Sequence, residues 1–145
     1  MAWEETLLRW KADFDIQTRR PVTPEVLDNA AQQIGLPTDL MALYEHTNGI
    51  SRAWLNVLPI LDPDDPKRTW DSVQRANDLQ KTACLEGDES LLRCFVVFAV
   101  LDAGRCAAVD RDDGSVWYED GDELCQTTLF LAEFIETCLK EIRDL

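Results

Sequence analysis

Histidine occurs once in this sequence, at His46, and none of the five cysteines belongs to a Cys-x-x-Cys pair. A structural zinc needs clustered thiolate and imidazole ligands, so no zinc framework is expected. The cysteines are odd in number and widely spaced (Cys84, Cys94, Cys106, Cys125, Cys138). That usage predicts small buried apolar side chains in a reducing compartment. No neighbouring histidine or basic cluster is present to lower a thiol pKa. A phosphate-binding loop is also missing, because the six glycines are scattered and none precedes Lys-Ser or Lys-Thr. No apolar run approaches the roughly 18 residues that cross a bilayer. The opening "MAWEETLLRW" has acids where a secretory signal carries Lys or Arg, so the expected location is the cytoplasm. No repeat, low-complexity tract or long linker interrupts the 145 residues, and a single domain over 1–145 is expected.

Basic residues are scarce. Fourteen Lys and Arg face 28 Asp and Glu, for a formal net charge of −14. Such a surface repels phosphates and anionic lipid, which disfavours direct nucleic-acid or membrane binding and favours a basic partner. Acidity that serves only solubility is the plainer alternative.

The residues present predict helices first. Trp3, Leu7, Leu8, Trp10, Lys11 and Phe14 follow a helical spacing with a wide apolar face. In "RRPVTPEVLDNAAQQIG", Thr23 is an N-cap and Pro24 a first helical residue. Val26, Leu27, Ala30, Ala31 and Ile34 line one face, and Gly35 is a left-handed stop. Gly35-Leu36-Pro37 then turns a corner into a helix capped by Thr38, with Asp39 in its first turn and Leu40, Leu43 and Tyr44 inward. Asn48-Gly49 ends it, which places His46 in the last turn as a structural residue rather than a catalytic one.

Strand character follows. "AWLNVLPI" predicts one strand marked by Trp54, Val57 and Ile60, and "LDPDDPKR" a polar loop. "TWDSVQRANDLQKTAC" predicts a helix capped by Thr69 with Trp70, Val73, Ala76 and Leu79 on its face. "CFVVFAVL", "CAAVD" and "SVWY", separated by "DAGR" and "RDDG", predict an antiparallel meander. "TTLFLAEFIETCLKEIRDL" predicts a closing helix entered through Thr127 or Thr128, with Phe130, Phe134, Ile135, Cys138, Leu139 and Ile142 on one face. The sum is an α+β fold: a mostly antiparallel sheet with N-terminal helices and a C-terminal helix packed against it.

"DRDDG" at 110–114 is not a calcium loop. The EF-hand pattern asks for oxygen ligands at positions 1, 3 and 5, Gly at 6 and Glu at 12, whereas a count from Asp110 puts Gly114, Ser115 and Gly121 at the last three. Carboxylates are too abundant for any catalytic pair to stand out, and no nucleophile motif is present. The expectation is a protein without enzymatic activity, cofactor or metal.

The placement of the acids is more informative than their number. Asp110, Asp112, Asp113, Glu119, Asp120, Asp122 and Glu123 fall in one hairpin and its following loop, opposed only by Arg111, with Trp117 and Tyr118 between them. Asp62, Asp64 and Asp65 form a second acidic loop near Trp54 and Trp70. Aromatic anchors among charges of one sign suit the capture of a basic protein, although each tryptophan taken singly also suits a core position.

The segment "IGLPTDLMALYEHTNGI" resembles the signature of the SMI1/KNR4 superfamily, also called SUKH. "VLPI", "FVVFAV", "VDRDDGSVWYED" and "LFLAEFIETCLKEI" extend the similarity from about Val22 onward. The matching residues Gly35, Leu36, Pro37, Asn48 and Gly49 are scaffold in character, and Ile50-Ser51-Arg52 stands where the family sometimes has a glycine-rich turn. The resemblance implies an α+β domain and, for the bacterial members, an immunity protein that neutralises a toxin, often a nuclease, delivered by neighbouring cells. An acidic surface that blocks a cationic active site is the mechanism this suggests. The alternative is a regulatory scaffold like the fungal relatives, which act in cell-wall synthesis.

Overall fold

The computed structural model of the protein describes residues 2–78, 85 and 89–145. Helix α1 (Trp3–Phe14) buries Trp3, Leu7, Trp10 and Phe14, a narrower stripe than expected, because Leu8 and Lys11 are exposed. Strand β1 (Gln17–Thr18) leads to α2 (Pro24–Ile34). Thr23 caps α2 by accepting from the Val26 N–H, and Gly35 stops it at φ 67. In α3 (Thr38–Tyr44) the N-cap is Pro37, whose extended backbone makes Thr38 already helical and leaves it without a capping bond. His46 lies beyond that helix, exposed, with its N–H bonded to Leu43 O.

The corner between α3 and the sheet is made by buried polar groups. Gly49 adopts φ 101, and a Cβ there would lie 2.8 Å from Val57 O. The Asn48 carboxamide donates to Ile60 O (2.9 Å) and accepts from Ile60 N–H (2.7 Å), as a neighbouring strand would. The Tyr44 hydroxyl donates to Leu58 O at 2.6 Å, and burial raises its pKa.

Strands β2 (Ile50–Arg52) and β3 (Leu55–Val57) form a hairpin where a single strand from Ala53 is expected. Ala53 at φ 47 reverses the chain, so Trp54 sits half-buried in the turn. The helix expected from Thr69 is cut to α4 (Val73–Ala76), with Ser72 as its cap. Thr69 instead joins the preceding loop, accepting from Asp62 N–H and donating to Asp65 O. Trp70 precedes α4 and is exposed, and the predicted positions Leu79 and Cys84 fall outside the described residues. Just past α4, Asn77 repeats the Asn48 device: its side chain accepts from Val97 N–H and donates to Val97 O, both at 2.9 Å.

Helix α5 (Glu89–Cys94) runs directly into β4 (Phe95–Val100), followed by β5 (Cys106–Asp110), β6 (Val116–Asp120), β7 (Glu123–Gln126) and α6 (Leu131–Arg143). The seven strands form one antiparallel sheet in chain order, and the fold is α+β. Five consecutive residues of β4, Phe95–Ala99, are buried, so both faces of the sheet centre are covered. Phe134 of α6 meets Phe98 edge-on, and α6 packs on α1. There the Trp10 indole donates to Glu136 at 2.8 Å and Arg9 pairs with the same carboxylate, which together lower its pKa.

Two expectations fail at helix ends. Phe130 is the N-cap of α6 and is exposed, whereas Thr127 turns back to donate to Val116 O and accept from Leu129 N–H. Cys94 closes α5 rather than opening β4 and is exposed; Cys125 is half-buried, and Cys106 and Cys138 are buried as expected. Burial pushes the Cys138 thiol up to about 12, so it stays protonated at neutral pH. Among the described residues, no helix is long and apolar enough to cross a membrane.

Candidate functional site

The acidic residues singled out in the sequence occupy three places. Strand β6 separates the first two, since the 110–115 turn precedes it and the 121–122 turn follows it. At about 3.3 Å per residue, a strand of five residues keeps those turns roughly 16 Å apart. The third place, Asp62 and Asp64, lines a cleft with Arg20, Thr23 and Val26 at the N-terminal end of α2.

The 110–114 turn is held by its own acids. Asp110 accepts from the Asp112 N–H at 2.8 Å, and its carbonyl accepts from the Gly114 N–H at 3.0 Å, where φ is 78. Asp113 accepts from the Ser115 hydroxyl (2.6 Å) and N–H (2.8 Å), bonds that favour the charged form and lower its pKa. The Ser115 hydroxyl in turn accepts from the Trp117 indole at 3.1 Å, and Trp117 packs edge-on against Phe95 with ring centroids 5.2 Å apart. Trp117 therefore braces the turn from below.

Arg111, the base of this turn, points away from its acids. Its guanidinium donates to Ile34 O (2.8 Å), Gly35 O (2.7 Å) and Leu92 O (3.4 Å), with burial lowering its pKa. These carbonyls include the last ones of α2, where a cation suits the helix dipole. The positive charge that would neutralise the turn is thereby drawn into the C-terminal end of a helix. Asp112 and Asp113 remain exposed, and Asp110 is half-buried. Asp39 and the Phe130 ring border the same turn: a Cβ on Gly114 would lie 3.7 Å from Asp39 Oδ2 and from Phe130 Cδ1. Nothing in the spacing of residues 127–142 distinguished Phe130 from the core positions that follow it.

At the far end of β6 the acids are used differently. Glu119 accepts from the Cys106 N–H at 2.6 Å, a bond internal to the sheet. Asp120 and Glu123 face each other across the β6–β7 pair, and Asp122 is exposed in the turn between them. Tyr118 lies beneath Arg105, whose guanidinium is 5.8 Å from the ring centroid and pairs with Asp102 at 2.6 Å.

The loop between β3 and α4 has little regular structure and many internal bonds. Leu61 N–H donates to Gln74, Asp62 accepts from Asp64 N–H, and Val73 N–H donates to Pro59 O. Asp62 is buried, Asp65 half-buried and Asp64 exposed opposite Arg20 at 3.9 Å. Trp70 stands on the C-terminal side of this loop. It borders a groove of about 160 Å³ shared with Gln33, Leu61, Arg75 and Asp78, and the Arg75 guanidinium is 5.1 Å from its ring centroid.

Gln33 links these features. It lines the Trp70 groove, and the next two residues, Ile34 and Gly35, hold Arg111. The C-terminal turn of α2 thus adjoins the Trp70 groove through Gln33 and, through Arg111, the turn that carries Asp110, Asp112 and Asp113. Asp62 and Asp64 sit at that helix's other end, Asp65 stays within the loop between β3 and α4, and Glu119, Asp120, Asp122 and Glu123 are at the far end of β6. Gly35, Leu36, Pro37, Asn48 and Gly49 are structural elements of the corner.

Among the described residues, no three His, Cys, Asp or Glu side chains group as metal ligands, and no buried side-chain nitrogen or oxygen lacks a hydrogen-bond partner. No protein-family model matches the chain, and no curated protein matches its sequence.

Proposed function

We propose that this chain is an immunity protein of the SMI1/KNR4 (SUKH) type, acting in the cytoplasm by binding a basic toxin, a cationic nuclease being the kind its charge suits. Carboxylates of the protein take the place of nucleic-acid phosphates against the toxin's Lys and Arg side chains and occupy its active-site cleft. The observation that carries this reading is the 110–114 turn, where three aspartates accompany an arginine committed to the carbonyls of α2. The similarity of "IGLPTDLMALYEHTNGI" to the family signature adds to it, and the net charge of −14 disfavours phosphate-bearing partners.

The test is affinity capture of the tagged chain from a lysate of its own organism, followed by assay of the captured protein. Stoichiometric loss of a nuclease or other toxic activity on adding back the chain is the expected result. Recovery of a resident protein complex whose activity the chain leaves intact would overturn the immunity reading in favour of a regulatory scaffold.

A further inference from the structure

Two aromatic side chains are exposed among the described residues. Trp70 is 60% exposed and Phe130 48%, in a molecule that buries Trp3, Trp10, Phe14, Phe95, Phe98 and Phe134. Both connect to the C-terminal end of α2, Trp70 through Gln33 and Phe130 through the turn of Arg111. Trp70 shares its groove with Gln33 in the last turn of α2, Ile34 and Gly35 hold Arg111, and the turn containing Arg111 carries Gly114 against the Phe130 ring.

We infer that this stretch, from Trp70 across the C-terminal end of α2 to Phe130, is the docking surface for a cationic protein, with the two aromatic rings as its anchors. The inference rests on the proposed binding of a basic partner and specifies where it occurs. The backbone that carries both anchors is held before any partner arrives. Arg75 lies over Trp70, whose carbonyl accepts from Ser72 N–H at 2.9 Å, while the Phe130 carbonyl accepts from Phe134 N–H at 2.9 Å as the cap of a 13-residue helix. The segments that carry the two rings therefore need little backbone ordering on binding, which lowers the cost of the contact. The charge on the surface selects the occupant. Asp39, Asp112, Asp113 and Glu133 are exposed around Phe130, the arginine of the turn is withdrawn, and a second copy of a chain of net charge −14 would be repelled. Arginine side chains of a partner can stack on the open part of the Trp70 ring and pair with these carboxylates. The 119–123 end has no comparable anchor, since Tyr118 is half-buried and Glu119 is bonded into the sheet.

The experiment titrates the full ¹⁵N-labelled chain with deca-arginine and follows amide and indole N–H resonances. The expected result is perturbation of the Trp70 indole, the 112–114 amides and the Leu131 amide. Trp70→Ala/Phe130→Ala should weaken binding about tenfold with the circular dichroism spectrum unchanged. Asp112→Lys should weaken it as a second, fold-neutral probe, whereas Asp122→Lys should leave it within about twofold. Shifts centred on 119–124, equal weakening by Asp112→Lys and Asp122→Lys, or no perturbation at millimolar peptide would overturn the inference. A captured toxin that binds the parent and the Trp70→Ala/Phe130→Ala variant equally would remove this surface and leave the immunity reading standing. Peptide mapping to this surface by a chain that neutralises no captured protein would do the reverse.

Discussion

Asn48 and Asp110 each offer a side-chain oxygen to a backbone N–H, at 2.7 Å from Ile60 N and 2.8 Å from Asp112 N, and the two turns they make have opposite characters. Asn48 bridges twelve residues and is buried; Asp110 bridges two and is half-buried. The difference follows from the chemistry of the groups. A neutral carboxamide both donates and accepts, so it can satisfy the N–H and the C=O of Ile60 together and be taken out of water without leaving a charge behind. A carboxylate only accepts and retains its charge, and in the 110–114 turn the exposed Asp112 and Asp113 keep that charge available to a partner. At these two turns the amide organises the interior and the acids face outward.

The comparison is tested most severely by Asn48→Ala. Removing the carboxamide leaves the N–H and C=O of fully buried Ile60 unpaired, and a loss of about 3 kcal/mol is expected from the urea midpoint at constant slope. A loss below about 1 kcal/mol would mean that the corner finds other partners and is not the scaffold described. Next comes Arg111→Ala, the point where the acidic turn is fastened to α2. It should cost about 1–2 kcal/mol, and its effect should be non-additive with Gly35→Ala, because a Cβ at residue 35 would already lie 2.7 Å from Arg111 Nη1. Additive effects would show that the turn and helix are held together by other contacts. Asp112→Lys should change stability by no more than about 0.5 kcal/mol while raising the net charge by two, since the Asp112 carboxylate braces nothing in the turn. Asp110 and Asp113 are poorer probes of binding, because replacing them also removes turn bonds.

Those contrasts also explain how much of the molecule was legible in the sequence. The helical spacing of 24–34, the Gly35 stop and the apolar run 95–100 each have local causes, and the α+β fold follows from them. Strands β1, β2 and β7 were not foreseen, because two to four residues without alternating apolar character acquire strand identity only from a neighbour. The helix from Thr69 failed for a related reason: Thr69, Asn77 and Gln74 are all held by chain segments outside the predicted helix. At the candidate site the abundance of acid was plain, but its division among three places depends on strand β6 and helix α2 lying between them. The inward turn of Arg111 and the exposure of Phe130 depend on contacts 76 or 77 residues away in sequence in the first case and on the entry geometry of α6 in the second.

The smallest expected effect gives the finest separation of amide from carboxylate. Hydrogen bonds from Ser115 hold the Asp113 carboxyl below its ordinary value of 3.8, so the charged form is favoured in the folded chain. A depressed folded-state pKa adds stability that is present above the unfolded value and disappears as pH falls through the folded one. The stability difference between the parent and Asp113→Asn should therefore be flat above about pH 5 and change below about pH 4, as the parent's carboxylate takes up its proton. The parent-minus-Asn48→Ala difference should show no such inflection, because a carboxamide does not titrate. Ser115→Ala sharpens the test, since loss of its hydroxyl should move the Asp113 carboxyl carbon titration back toward the ordinary range in an NMR measurement. An unchanged titration would show that the backbone N–H alone sets the charge of the turn, and Ser115 would then serve only the Trp117 indole.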